Sequence, residues 1–302
     1  MVPCYINKLT YDHGEYVVKH KGELHMRKLE QQIYDEERAL YGSSDLQLLH
    51  CRFDGPADGE SALKESQNII TDHCYFNLRY PFWHDKGLQI NHCEMTEACR
   101  AALWYSEDIQ IADSKLHGIK ALRECKQISI SDCDIISPEF GWFCQSISMG
   151  HTTVAGEYFM MRSANLHFDE VTLNGKYSFQ YITDSVFENC HLYTKDAFWH
   201  AKNVVIRNSV VKGEYLAWYC ENVTFENCVI IGTQPLCYCK NLKLINCEMH
   251  ETDLAFEKSE VNATITTPVI SIKNPLSGRI QVPAVEEIIM DDSESDCEIL
   301  LL

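Results

Sequence analysis

The chain has 302 residues, with 44 acidic against 26 basic side chains and a formal net charge of −18. That surface repels phosphate backbones, so no nucleic-acid partner is expected. No run of eighteen apolar residues is present, which argues against a membrane partner, and fifteen cysteines with no secretory start predict a reducing, cytoplasmic location.

Taken in chain order, residues 1–30 carry no repeat. The alternation in YINKLTYDHGEYVVKHKGELHMRKL predicts strands, and an N-terminal cap over the open end of a solenoid is expected there. From about 31 to 280 one unit recurs, N-h-x-h-x-N-C/S-x-h with h apolar, clearest at Asn203 and Asn222. Its anchor falls at Cys51, Cys74, Cys93, Ser114 and Cys133, and continues to Cys190, Ser209, Cys228, Cys247 and Thr266. The steps are 23, 19 and 21, then 19 eight times. A fixed period near 20 residues marks a solenoid.

Apolar residues five and three before the anchor (Val204, Ile206) and two after it (Val211) lie two apart, as on one strand face. The parity changes at the anchor, which marks a corner. No ten-residue stretch has a 3.6 period, so the prediction is all-β: a parallel β-helix of about 12 coils with short strands all round. Polar columns one and six before the anchor (Asn189, Asn208, Asn227; Asn203, Asn222, Asn241) fit side-chain ladders at the 4.8 Å coil spacing, or plain turns. The segment FDGPADGESALKES holds the extra residues of the 23-residue step and predicts a protruding loop. Gly156 and Gly213, in G-E-Y triplets, are expected to supply positive φ at corners. Cys74 with Cys93, Cys125 with Cys144, Cys220 with Cys239 and Cys228 with Cys247 should stack as free thiols. Residues 281–302 read as a flexible acidic tail.

The chain resembles the right-handed parallel β-helix, pectin-lyase-like superfamily. The repeats SALKES, YPFWHDKGLQI, DAFWHAKNV and GEYLAWYCENVTFENC resemble a bacterial family of single-domain β-helices of unknown function, often labelled hydrogenase. The resemblance covers about residues 30–280 and implies the fold with no established activity. No C-x-x-C pair supports the hydrogenase label.

All five tryptophans, Trp83, Trp104, Trp142, Trp199 and Trp218, share the column ten before the anchor, with Lys64, Arg123 and Gln180. One position later stand His84, Tyr105, Glu124, Tyr181, His200 and Tyr219. Two registers fit. The column before the tryptophans is wholly apolar, which favours it as inward and the tryptophans as outward. The column two after them is small (Cys125, Cys144, Ala201, Cys220) and suits an inward position of the tryptophans' own parity.

Either way one wall is aromatic, and flat rings suit a carbohydrate or another protein. An oligosaccharide is the expected partner. Lys64, Arg100 and Arg123 on this wall would suit an anionic sugar, or pair with neighbouring carboxylates. The alternative is a scaffold whose aromatic wall meets another protein or its own copy, as an oligomer. A ring stack that only stiffens the coil fits the same column.

Whether a reaction occurs is open. Arg123, Glu124, His84 and Asp85 could form an acid/base group across neighbouring coils, with no motif behind them. Glycosidase motifs, phosphate loops and nucleotide fingerprints are absent, and no cofactor is expected. His50, His73 and His92 share the column before the anchor on successive coils. That column is mostly Asn or Asp elsewhere and faces solvent, so no metal is expected.

Overall fold

The computed structural model describes residues 9–12, 15–18, 26–55, 60–291 and 295–302. Among them there is no helix. Fifteen rungs, from Arg27–Glu30 to Asp296–Leu301, stack in parallel as a first wall, making about fourteen turns. Most neighbouring rungs keep the 19-residue register: Val204 lies against Val223 and Ile206 against Phe225. A second wall of shorter strands follows each anchor, with Val211 against Ile230. Val204, Ile206 and Val211 are fully buried, so the residues two apart face one continuous core.

The solenoid is longer than expected. Its first rung begins at Arg27 rather than near residue 31. It also does not stop at 280: Ser277–Val282 pairs with Asp296–Leu301, and Val269–Lys273 with Val285–Ile289. The expected flexible tail is therefore corrected over its described part. An acidic segment can still close a coil, because a rung needs only a few inward apolar side chains. Cys297 and Ile299 supply them here. The expected cap holds an antiparallel pair, Leu9–Asp12 with Glu15–Val18; the rest of it, and residues 56–59 of the expected protruding loop, lie outside the described residues.

The anchor side chain sits at the corner between the two walls. Cys228 Sγ donates to the Ile206 carbonyl of the coil below at 3.3 Å. Ser209 Oγ donates to Arg207 O at 2.6 Å and accepts the Cys190 N–H at 2.9 Å. Both are small groups that satisfy corner backbone, which explains why cysteine and serine exchange there. The described cysteines are free thiols, and the Cys74 and Cys125 N–H groups each lie 3.4 Å from the sulfur one coil on.

Apart from short pairings such as Leu103–Trp104 with Leu122–Arg123, the third side is not the strand that was expected. There left-handed residues alternate: Tyr177, Phe179 and Tyr181 have φ of 58°, 61° and 59°, while Ser178 and Gln180 between them are not left-handed. Tyr177 and Tyr181 donate their N–H to the next coil (Lys195 O and Trp199 O, both 2.8 Å). Phe179 donates to the previous one (Phe159 O, 2.8 Å). Alternating handedness lets a tight bend bond to both neighbours. It also settles the register question, because both candidate columns are inward. Phe198 and Ala201 are fully buried on either side of Trp199 and the left-handed His200.

Gly156 and Gly213 are corrected too. Neither has positive φ; the left-handed residues are Tyr158 and Tyr215, two later. Glycine is needed because the coils pinch together: a Cβ on Gly156 would lie 2.6 Å from the Ser137 carbonyl, and one on Gly213 would meet the Thr194 carbonyl.

Candidate functional site

Two surfaces stand out as candidate sites, the aromatic ridge over the third side and a groove on the first wall. On the ridge every tryptophan is half-buried. Trp83 stacks on Trp104 (5.1 Å, 5°) and Trp199 on Trp218 (5.4 Å, 3°). Each indole N–H donates to a backbone carbonyl of the next coil: Trp104 to Lys120 at 2.7 Å, Trp142 to Tyr158 at 2.6 Å, Trp199 to Tyr215 and Trp218 to Gln234 at 2.7 Å, and Trp83 to Ala101. Gln180, in the same column, donates to Asp196 O at 3.1 Å. The shared task of this column is to satisfy carbonyls of the left-handed turns.

Outside the tryptophans runs a second stack: His84 on Tyr105 at 4.9 Å, then Tyr181, His200, Tyr219 and Tyr238 at 4.8, 5.0 and 4.9 Å. Burial pushes the His200 imidazole pKa down, with Lys202 adding to it. In both stacks ring faces point along the solenoid axis onto one another. Solvent meets their edges, whereas sugar stacking needs a free face.

The expected basic centre is engaged as well. The Arg123 guanidinium lies between Trp104 (5.2 Å) and Trp142 (5.6 Å), with its Nε 3.4 Å from Glu124. Lys64 lies 5.3 Å over Trp83. These are cation–π caps on the stacks. Arg100 is exposed four residues before Trp104, and its carbonyl accepts the Tyr80 N–H at 3.2 Å.

Of the four catalytic candidates, His84 and Glu124 are exposed and Arg123 is held between rings. Asp85 is corrected: it points into the core, 1 % exposed. Its Oδ1 accepts the Ser66 N–H at 2.8 Å, its N–H donates to Ser106 Oγ at 3.0 Å, and no group among the described residues reaches Oδ2. Burial pushes its carboxyl up to about 8. The left-handed His84 turns Asp85 to the opposite side of the wall from its neighbours, so the four do not form one surface group.

The groove went unrecognised in the sequence. It has a volume of about 510 Å³ and spans four rungs of the first wall. Gln110, Ser129, Ser148 and His167 line it from outward strand positions, and Asp108, Gln127, Ser146 and Asn165 from the left-handed corner. Small serines between Gln110 and His167 make the depression. Only a row of unremarkable polar residues could have signalled it.

The same wall carries a histidine cluster at its other edge. Asp72, outside the histidine column and not singled out from sequence, accepts from or faces the Nδ1 of both His73 and His92 at 2.9 Å.

A family described as "Protein of unknown function (DUF3737)" matches residues 27–301, nearly the whole solenoid. The chain belongs to DUF3737. No curated protein matches it. Among solved structures, this DUF3737 chain is similar to a family 28 exopolygalacturonase of Yersinia enterocolitica, at 10 % identity and a TM-score of 0.30, covering 90 % of this chain and 72 % of that one. It is also similar to PfbA, a surface adhesin of Streptococcus pneumoniae, at 8 % identity and 0.26, covering 90 % and 84 %. QnrB1, a plasmid-mediated fluoroquinolone resistance protein, follows at 13 % identity and 0.21, covering 72 % and 89 %. At such scores the likeness carries no functional argument for DUF3737.

Proposed function

We propose that the protein binds a carbohydrate, and that the first-wall groove rather than the tryptophan column seats it. The observation that supports this is the two-column array of Asp, Gln, Ser, Asn and His side chains on four successive rungs. A hydroxyl-rich ligand needs many fixed hydrogen-bond partners. Rungs about 4.8 Å apart repeat those partners at close to the length of one sugar unit. Two of the three cations expected to attract an anionic sugar, Lys64 and Arg123, are capping ring stacks, so a neutral oligosaccharide fits better. Among the described residues, Asp108 is the only carboxylate lining the groove. Glycoside hydrolysis uses a pair, which favours binding over cleavage.

The test is calorimetric titration against neutral and acidic oligosaccharides, with Ser148→Trp to fill the groove. Saturable binding that Ser148→Trp abolishes and Tyr219→Ala leaves intact supports the reading. No binding across the panel, or binding indifferent to Ser148→Trp, overturns it.

A second reading rests on the ridge. Tyr105, Phe143, Tyr181 and Tyr219 are 39–45 % exposed along one line. Ring edges with hydroxyls suit a protein surface, where tyrosine is a frequent anchor. Sedimentation showing a monomer at every concentration would exclude self-association through the ridge.

A further inference from the structure

The geometry points to a binding site for a divalent transition metal at Asp72, His73 and His92. Asp72 ends the rung Gln67–Asp72, facing outward. His73 and His92 occupy the next corner position on successive coils, both left-handed, with φ of 52° and 49°. That conformation turns both side chains out, and the coil spacing stacks their rings at 4.6 Å and 20°. The two Nδ1 atoms therefore face the same carboxylate oxygen, each at 2.9 Å, and the three ligand-type atoms lie within 4.8 Å of one another.

Ligands about 2.0–2.1 Å from a tetrahedral ion stand roughly 3.3 Å apart. The two carboxylate–imidazole distances fall a few tenths of an ångström short of that, and the two imidazole nitrogens, within 4.8 Å of each other, would close by up to about 1.5 Å. Both imidazoles are about half-exposed, with room to move. Two imidazole nitrogens and one carboxylate suit Zn²⁺, Co²⁺ or Ni²⁺ and disfavour Ca²⁺ and Mg²⁺, which select all-oxygen sets. Binding would replace the two Nδ1 protons and leave a fourth position for water. Asp113, with Oδ2 3.8 Å from His92 Nε2, would orient the His92 ring from outside. His151, in the same column, faces Glu170 at 2.9 Å with no second histidine beside it, and so lacks the set.

The experiment is a Co²⁺ titration of the full chain with thiols kept reduced, followed by absorption. Asparagine replaces each histidine, because Asn189, Asn208 and Asn227 hold the same left-handed corner on later coils. The expected result is one Co²⁺ per chain with a visible d–d band, bleached by Zn²⁺. His73→Asn and His92→Asn should each weaken it at least about tenfold, while His151→Asn leaves it unchanged. As a second readout, Zn²⁺ should raise the melting temperature of the unsubstituted protein and not of the two variants. No saturable binding, a near-ultraviolet thiolate-to-cobalt band, or affinity unchanged in both folded variants would each overturn the site.

Discussion

The corners of the first wall and the third side make the same demand on the backbone and meet it with different chemistry. Both need left-handed residues, at a cost of about 1 kcal/mol or more each for most side chains. The corners flanking the first wall mostly use Asn and Asp, for which that conformation is cheap, and tie them across coils: Asn203 to Asp184 and Asn222 to Asn203 at 2.9 Å, Asn241 to Asn222 at 2.8 Å. The third side draws most often on Tyr, Phe and Leu, for which it is costly. There the strain is offset by stacked rings, each pair worth about 0.5–1.5 kcal/mol, and by indole bonds to the turn carbonyls. An aromatic column on a solenoid can therefore be a folding device before it is a binding surface.

Substitutions can break this contrast, and the largest effect should come from Asp85, on the inner face of the aromatic corner. With its carboxyl at about 8 in the fold against 3.8 unperturbed, the native state keeps a proton that the unfolded chain gives up. Stability should then fall as pH rises from about 4 to 8, by up to about 5 kcal/mol. Asp85→Ser, matching Ser66 and Ser106 on the adjacent coils, should flatten that dependence and raise stability at pH 8. Urea unfolding of both proteins at pH 5 and pH 8 measures it; parallel pH profiles would refute the buried neutral acid.

Trp218→Ala should cost about 3 kcal/mol, by loss of the Trp199 stack and the bond to Gln234. Trp218→Gln should cost clearly less, because Gln180 makes the equivalent bond in its own coil. Equal losses in thermal unfolding would mean the bond does not matter.

Asn222→Ala should cost about 1–2 kcal/mol, through backbone strain and two broken amide bonds. Asn222→Gly should recover part of it, since Gly87 fills the same position at φ 72°. The smallest effect should be that of Tyr219→Asn, about 1 kcal/mol, as a cheaper backbone offsets much of the two stacks lost, on His200 and on Tyr238. A loss near that of Trp218→Ala would show that the outer rings, and not the indoles, hold the third side together.

The fold was legible because burial imposes a strict period: every coil repeats the same inward positions, as Val204, Val223 and Leu242 do. The third side was not, because handedness leaves little trace in residue type once packing can offset its cost. One left-handed residue between Trp199 and Ala201 turned a parity rule into a contradiction, and the same effect at His84 sent Asp85 inward. The last coil was hidden by acidic composition. The groove was hidden by the ordinariness of Ser129 and Ser148. The histidine column was visible, but the Asp72 carboxylate that joins two of its members comes from a neighbouring position one residue earlier, outside any single column.

The amide chains at the corners have a direction. Asn241 gives to Asn222, Asn222 to Asn203, and Asn203 to Asp184; Thr96 gives to Asn77, and Asn77 to Asp54. Each relay points its N–H or O–H donors toward earlier coils and ends on a group that can only receive. Near the C-terminal end, Asn274 to Asp291 runs the opposite way. Asparagine and aspartate are thus not interchangeable along such a line: aspartate is its terminus and asparagine its link. An aspartate at position 222 would set two receivers face to face and cut the relay in the middle, though it differs from the native residue by a single atom type.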